Sequence, residues 1–229
     1  MAKNRSNRSR RIAQNNSVVV IGLGRFGRSL ALELVDEETE VLGVDSNSEI
    51  VQTLAGSLTH VVRADSTKED ALRQLAVHEF DRAVVGIGSN IEASILTTSL
   101  LLSFGIRDVW AKAISEPHGR ILSQLGVPHV IYPEHDMGRR VAHLVRGRML
   151  DYIEFEDDFA MVKTRPAADI VGLRLADSGV RTQYGVTVVA IKRPGEDFTY
   201  ATSETVVHAD DTIIVAGRTR QTERFSELR

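Results

Sequence analysis

Apolar and polar positions follow two rhythms along the chain. The first half repeats one unit: a short apolar run, a polar break, then a stretch with helical spacing. Apolar runs begin at Ser17 and recur as VLGVD ending at Asp45, at 60–63, 82–87, 108–113 and 130–132, with helical stretches at 48–54, 68–75, 91–104 and 117–125 between the later ones. Strands alternating with helices predict an α/β fold, a Rossmann-like doubly wound parallel sheet. The segment 91–104 is almost wholly apolar or small, which predicts a helix buried on several sides. A helix expected over 134–148 carries Val141, Leu144, Val145 and then Met149, so one face has something to pack on.

The rhythm changes at Leu150. Short strand-like runs at 152–155, 160–163, 186–191, 198–201 and 212–215 are separated by Asp, Gly and Pro, with one short helix expected at 173–178. This reads as a small α+β domain, near the size at which a lone core is marginal, and it would gain by dimerising. The expected division is a disordered basic tail over 1–16, a nucleotide-binding domain over 17–133, a connecting helix over 134–150, and the small domain over 151–229.

Between the first apolar run and the helix after it stand Gly22, Gly24 and Gly27. The helix begins at this turn, so its unpaired N–H groups and positive dipole end face whatever lies over the glycines. Gly22 permits the turn, Gly24 lets a pyrophosphate approach the backbone, and Gly27 lets the helix pack close. Asp45 ends the second strand where a carboxylate accepts ribose hydroxyls. Arg25, within the motif, favours extra phosphate charge over a plain hydride-transfer site.

Further candidates lie at other strand ends, the edge where open parallel sheets bind ligands. Asp65 either meets the adenine or second ribose, or caps the helix at 68–75, a task shared with Ser66 or Thr67. The glycine-rich break at 86–90 lets the backbone come close to a ligand. Lys112 is costly in an apolar strand unless its amine reaches water or an anion. Glu134 either answers a helix dipole or binds a divalent cation held against phosphates.

Composition removes several classes. The net charge is −3 and the pI about 6.2, which gives no reason to expect nucleic-acid binding. Cysteine is absent, excluding disulfides and thiol catalysis. Neither a membrane-spanning run nor a signal-peptide core is present, so a cytoplasmic chain is expected. Lys3, Arg5, Arg8, Arg10 and Arg11 make the start basic, a solvated segment or an arm for an acidic partner or membrane surface. His129, His135 and His143 lack the pairing of a helical zinc site. GxSxG and Walker A sequences are missing. The remaining rivals are an NAD-dependent dehydrogenase, for which no proton relay is visible, and an NAD(H) redox sensor.

The segments VVVIGLGRFG, VLGVD, AVVGIGSNIEASILTT, VWAKA and YPEHDMG, followed by VRTQYGVTVVAIKRPGE in a small β-rich domain, resemble the regulatory subunits of Ktr/Trk potassium uptake systems. These are the RCK (KTN) proteins, and the match is nearest the KtrA type, over 17–225. The resemblance implies a cytoplasmic gating ring, not an enzyme: dimers assemble into an octamer beneath a KtrB- or TrkH-like potassium-translocating subunit at the inner face of the cell membrane. ATP and ADP would compete for the Rossmann site. By the family pattern Gly22, Gly24 and Gly27 cradle phosphates, with Phe26, Ser46, Asp65, Ser66, Gly88 and Asn90 around the nucleotide. Asp45 holds a ribose, Arg25 approaches the γ-phosphate bound in the same or the neighbouring protomer, Lys112 lies near the phosphates, and Glu134 joins a Mg²⁺ or Ca²⁺ ion at the dimer interface. Some relatives bind cyclic di-AMP across the small domain's dimer interface, where Ile170, Arg181 and Tyr184 fall in the corresponding region.

Overall fold

The run opening at Ser17 is a strand, β1 (Ser17–Ile21), buried on both faces because its side chains alternate between two cores. Val19 and Ile21 enter one apolar cluster, Val18 and Val20 the other. Each buried valine or isoleucine contributes about 1.5–3 kcal/mol, so this strand alone fixes which faces the helices cover. The structure, a computed structural model, describes residues 16–146 and 149–228. Residues 1–15 of the expected basic tail and 147–148 of the expected helix lie outside them.

The chain divides into two compact units, the first ending at Glu134 and the second beginning at His135. In the first, β1 leads to α1 (Arg25–Asp36), β2 (Glu40–Asp45), α2 (Ser48–Leu54), β3 (His60–Arg63), α3 (Glu69–Gln74) and β4 (Arg82–Val85). Then come α4 (Ile91–Ser103), β5 (Asp108–Lys112), α5 (Glu116–Gln124) and β6 (His129–Ile131), and the helix α6 (Pro133–Arg146) opens at the end of this unit with most of its length in the second. The six strands are all parallel in the order β3-β2-β1-β4-β5-β6. This is the dinucleotide-fold order, which reverses direction between β1 and β4.

α4 differs from expectation. It buries Ser94, Thr97 and Thr98 completely and leaves Ile91 and Leu96 more than two-fifths exposed. Small hydroxylated side chains let the helix lie close to the sheet, and Thr97 is tied to the buried Ser66 hydroxyl at 2.8 Å.

The second unit is an antiparallel sheet with the order β10-β9-β11-β8-β7. Its strands are β7 (Asp151–Phe155), β8 (Phe159–Thr164), β9 (Val186–Lys192), β10 (Thr199–Tyr200) and β11 (Thr212–Arg218), with helices α7 (Val180–Tyr184) and α8 (Thr219–Glu227). Its core gathers Tyr152, Val162, Ile170, Val186, Ile213, Val215 and Phe225.

Two local expectations fail here. Residues 173–178 are not a helix: the Leu175 N–H donates to the Thr205 carbonyl and the Leu173 carbonyl accepts from the Val207 N–H, backbone bonds to a distant segment. The short helix lies later, at Val180–Tyr184, between Gly179 (φ +64) and Gly185 (φ +70), whose left-handed backbones start and stop it. The closing helix α8 was not anticipated, because its buried side is mostly small and polar, with Thr222 and Ser226 beside Phe225.

Candidate functional site

The loop after β1 sits at the reversal point of the sheet. Gly22 has φ +88, its N–H donates to the Val44 carbonyl at 2.8 Å, and a Cβ there would meet the Ile87 backbone N at 2.8 Å. A Cβ on Gly27 would stand 2.0 Å from the Gly22 carbonyl oxygen. These two glycines are therefore required by the fold itself. Gly24 is different: a Cβ there would meet nothing within 4 Å. Its exposed position over the helix start leaves room for a ligand.

α1 begins from Gly24 with no side-chain cap and no acid in its first turn. Its first amides thus lack intrahelical partners and face outward beside the loop, an arrangement that suits an anion. Asp45 fastens this loop from β2: one carboxylate oxygen accepts from Leu23 N at 2.7 Å and the other from Asn47 N at 2.8 Å. Each oxygen keeps a further lone pair for a hydroxyl.

Lys112, at the end of β5, is buried and ion-paired with Glu134 at the start of α6. Its amine lies 5.8 Å from the Phe26 ring centroid and would stand 3.3 Å from a Cβ on Gly88. Of water or an anion, the amine therefore reaches an anion, the Glu134 carboxylate. Glu134 is held below the ordinary carboxylate range, first by the Lys112 hydrogen bond, with a smaller contribution from the charge of Arg25. Arg25 itself is exposed and has no ion-pair partner among the described residues. Sequence, chain order and packing thus bring Gly88, Lys112, Glu134, Phe26 and Arg25 to one side of the glycine loop.

The other expected residues are placed as follows. Asn90 caps α4, its side-chain oxygen accepting from Ala93 N at 3.0 Å. Ser46 is exposed, and its carbonyl accepts from Arg63 Nε at 3.1 Å. Asp65 does not cap α3, whose cap position is Lys68; it accepts instead from the Thr67 N–H and hydroxyl at 3.0 and 2.7 Å. Those two bonds lower its pKa. Ser66 is buried against Thr97, a structural tie. Among the described residues no three His, Asp or Glu side chains gather as a metal site would require. In the second unit Ile170 is fully buried with its amide bonded to Ala167 O, Arg181 is exposed, and Tyr184 donates to Asp169.

Comparison with known proteins follows this geometry. Residues 18–133 match the model of the TrkA-N domain and residues 159–229 that of the TrkA-C domain. The chain belongs to the TrkA-N/TrkA-C family. Within it, the chain is 38% identical over 209 residues to the Ktr system potassium uptake protein C of Bacillus subtilis, covering 91% of this chain and 95% of the relative. It is 36% identical over 213 residues to the Ktr system potassium uptake protein A of the same organism, covering 93% and 96%. A solved structure, the GsuK channel bound to NAD, superposes with a TM-score of 0.63 at 17% identity, over 90% of this chain and 38% of that chain. That likeness bears on the fold alone. Family membership also separates this TrkA-N/TrkA-C chain from the dehydrogenases that share its glycine fingerprint.

Proposed function

We propose that the chain is the nucleotide-sensing regulatory subunit of a Ktr-type potassium uptake system, binding ATP and ADP in exchange. The supporting observation is the cluster at the glycine loop: uncapped α1 amides, an exposed Arg25, and a buried Lys112 whose counter-charge is Glu134. Gly22, Gly24 and Gly27 with the α1 amides take the phosphates, Asp45 a ribose, and Phe26, Ser46, Asp65, Gly88 and Asn90 the surroundings of the nucleotide. A ligand shifts a conformational equilibrium only by its different affinity for two states. A γ-phosphate supplies that difference here, because it sets a charge between Arg25 and the Lys112–Glu134 pair that ADP lacks.

A divalent cation, Mg²⁺ or Ca²⁺, is assigned to the same place. The residues fit it only in part: Glu134 is a single carboxylate already paired with Lys112, so the remaining ligands must come from phosphate oxygens or a second copy. When bound, such a cation screens the phosphate charge. The domain division near 133, the dimers assembled into an octameric ring, the KtrB- or TrkH-like membrane partner and the place at the inner membrane face belong to the same proposal. No helix among the described residues is long and apolar enough to cross a membrane itself. Cyclic di-AMP at the second unit would rely on Arg181, with Tyr184 nearby and Ile170 contributing only through backbone.

NAD(H) is the second reading, because Asp45, with one backbone bond on each carboxylate oxygen, suits its ribose as well as that of ATP. The regulatory reading is tested with the membrane subunit in vesicles, by measuring potassium flux with this chain added in ATP and in ADP. Different fluxes in the two nucleotides support it; equal fluxes contradict it.

A further inference from the structure

The sheet of the second unit has two unlike faces, because alternate side chains of a strand point to opposite sides. Tyr152 of β7, Val162 of β8, and Ile213 and Val215 of β11 enter the core, where Phe225 of α8 and Tyr184 of α7 join them. Their neighbours Ile153, Met161 and Ile214 therefore stand on the other face, with Phe155 and Phe159. Register sets Ile153 beside Met161, Met161 beside Ala216, and Lys163 beside Ile214. Ile153 and Phe155 are half exposed, and Phe155 and Phe159 hold their ring centroids 6.3 Å apart. At the far edge of the sheet Tyr200 is 92% exposed. A contiguous apolar face of this kind marks a surface that meets a partner.

Charge is sorted along the strands of this face. At one end β7 turns into β8 through Glu156, Asp157 and Asp158, three exposed carboxylates in a row. At the other end Lys163 of β8 and Lys192 of β9 each hold their ammonium group 5.7 Å from the Phe198 ring centroid. Asp151, the carboxylate across from Lys163, is already bonded to Arg140 and to the Tyr152 amide. Glu196 and Asp197 precede Phe198 in the hairpin, but Arg165 and Arg193 at the same end offset them. One end of the face is therefore acidic and the other basic, with apolar side chains between.

A surface suits a second copy of itself when a two-fold axis carries its charges onto opposite ones. An axis crossing the middle of β8 does so here, because it exchanges the ends of that strand. Met161 lies midway between the acidic turn and Lys163, so it would face its own copy. A partner of a single charge sign would match one end alone.

We propose that this sheet face is an interface between two copies of the chain, related by a two-fold axis at Met161. Ile153, Phe155, Phe159 and Ile214 form its apolar centre, and the acidic turn of each copy lies against the lysine end of the other. The charges fix the register more than they add affinity. This face is opposite the core side that holds Ile170 and Tyr184, and it does not depend on what the glycine loop binds.

The chain has no cysteine, so Met161→Cys in the full chain places one thiol at the proposed axis. A bismaleimide long enough for sheets about 10 Å apart should link it into a covalent dimer. Adding Lys163→Glu and Lys192→Glu makes both ends acidic, and the yield should fall at least about tenfold. Adding instead Glu156→Lys, Asp157→Asn and Asp158→Asn, all in an exposed turn, makes both ends basic and should cause the same loss. Mixing the all-acidic chain with the all-basic one should restore linking, now between the two kinds of chain. Should the lysine variant fail to fold, the turn variant alone gives the answer. No covalent dimer from Met161→Cys, a yield unmoved by charge in either variant, or no recovery on mixing folded chains overturns the interface.

Discussion

The ammonium of Lys112 and the carboxylate of Glu134 form a lopsided ion pair: the lysine side chain is 9% exposed, the glutamate 61%. The cost of burying the cation falls on β5, while its partner stands at the helix start in water. Glu134→Gln leaves that cation without its counter-charge, and after allowance for solvent around the carboxylate the expected loss of stability is about 1–2 kcal/mol. Lys112→Met in the same background should recover most of it. Urea unfolding of wild type and the two variants checks this.

The same pair sets an acid limit. Lys112 holds the Glu134 carboxyl below its ordinary range, so its stabilisation is complete above the unfolded carboxylate pKa and is lost as pH falls through the lower folded value. Wild type should lose stability below about pH 4 more steeply than Glu134→Gln does. Matching profiles in the two proteins would contradict the assignment.

Gly24 and Gly27 should separate binding from folding. Gly24→Ala meets no atom within 4 Å, so stability should stay within about 0.5 kcal/mol of wild type. Nucleotide affinity should nonetheless fall at least about tenfold, roughly 1.4 kcal/mol, because the methyl occupies the approach to the phosphates. Gly27→Ala drives its methyl into the Gly22 carbonyl and should destabilise the fold by about 3 kcal/mol or more. Melting and titration of both proteins test the pair.

His118 predicts a second pH effect. It is buried, its Nε2 has no hydrogen-bond partner among the described residues, and burial lowers its pKa. The unfolded chain therefore binds the proton more readily, and stability should fall as pH drops from about 6.5 toward the lower folded value. His118→Leu should flatten that part of a thermal-melting profile between pH 7 and 5.

Much of the first unit was legible because its signals are local. The glycine loop, β2 ending in Asp45, and the helix at 48–54 need only neighbouring residues to define them. The conspicuous Lys112 was readable as a cost, but its resolution by Glu134, 22 residues later, depends on the parallel order of the sheet. Asp65 shows the limit of cap chemistry: its carboxylate closes a turn on Thr67 before the helix starts. The segment 173–178 was misread because its backbone partners are at 203–207, which no helical pattern in Leu173 and Leu175 could reveal. α8 was missed for the opposite reason, since a helix that buries Thr222 and Ser226 offers little apolar periodicity. The contacts of His143 were unreadable, because nothing in the sequence pairs it with Glu223 or Tyr152.

Arg25 carries the central claim, and a competition titration of the purified chain with ATP, ADP and NADH, with and without Mg²⁺ or Ca²⁺, tests it most directly. Wild type should prefer ATP, the more so with the cation and without turnover, while Arg25→Ala keeps its ADP affinity and loses the preference. An unchanged ATP preference in Arg25→Ala, or NADH bound to the exclusion of ATP, would contradict the account.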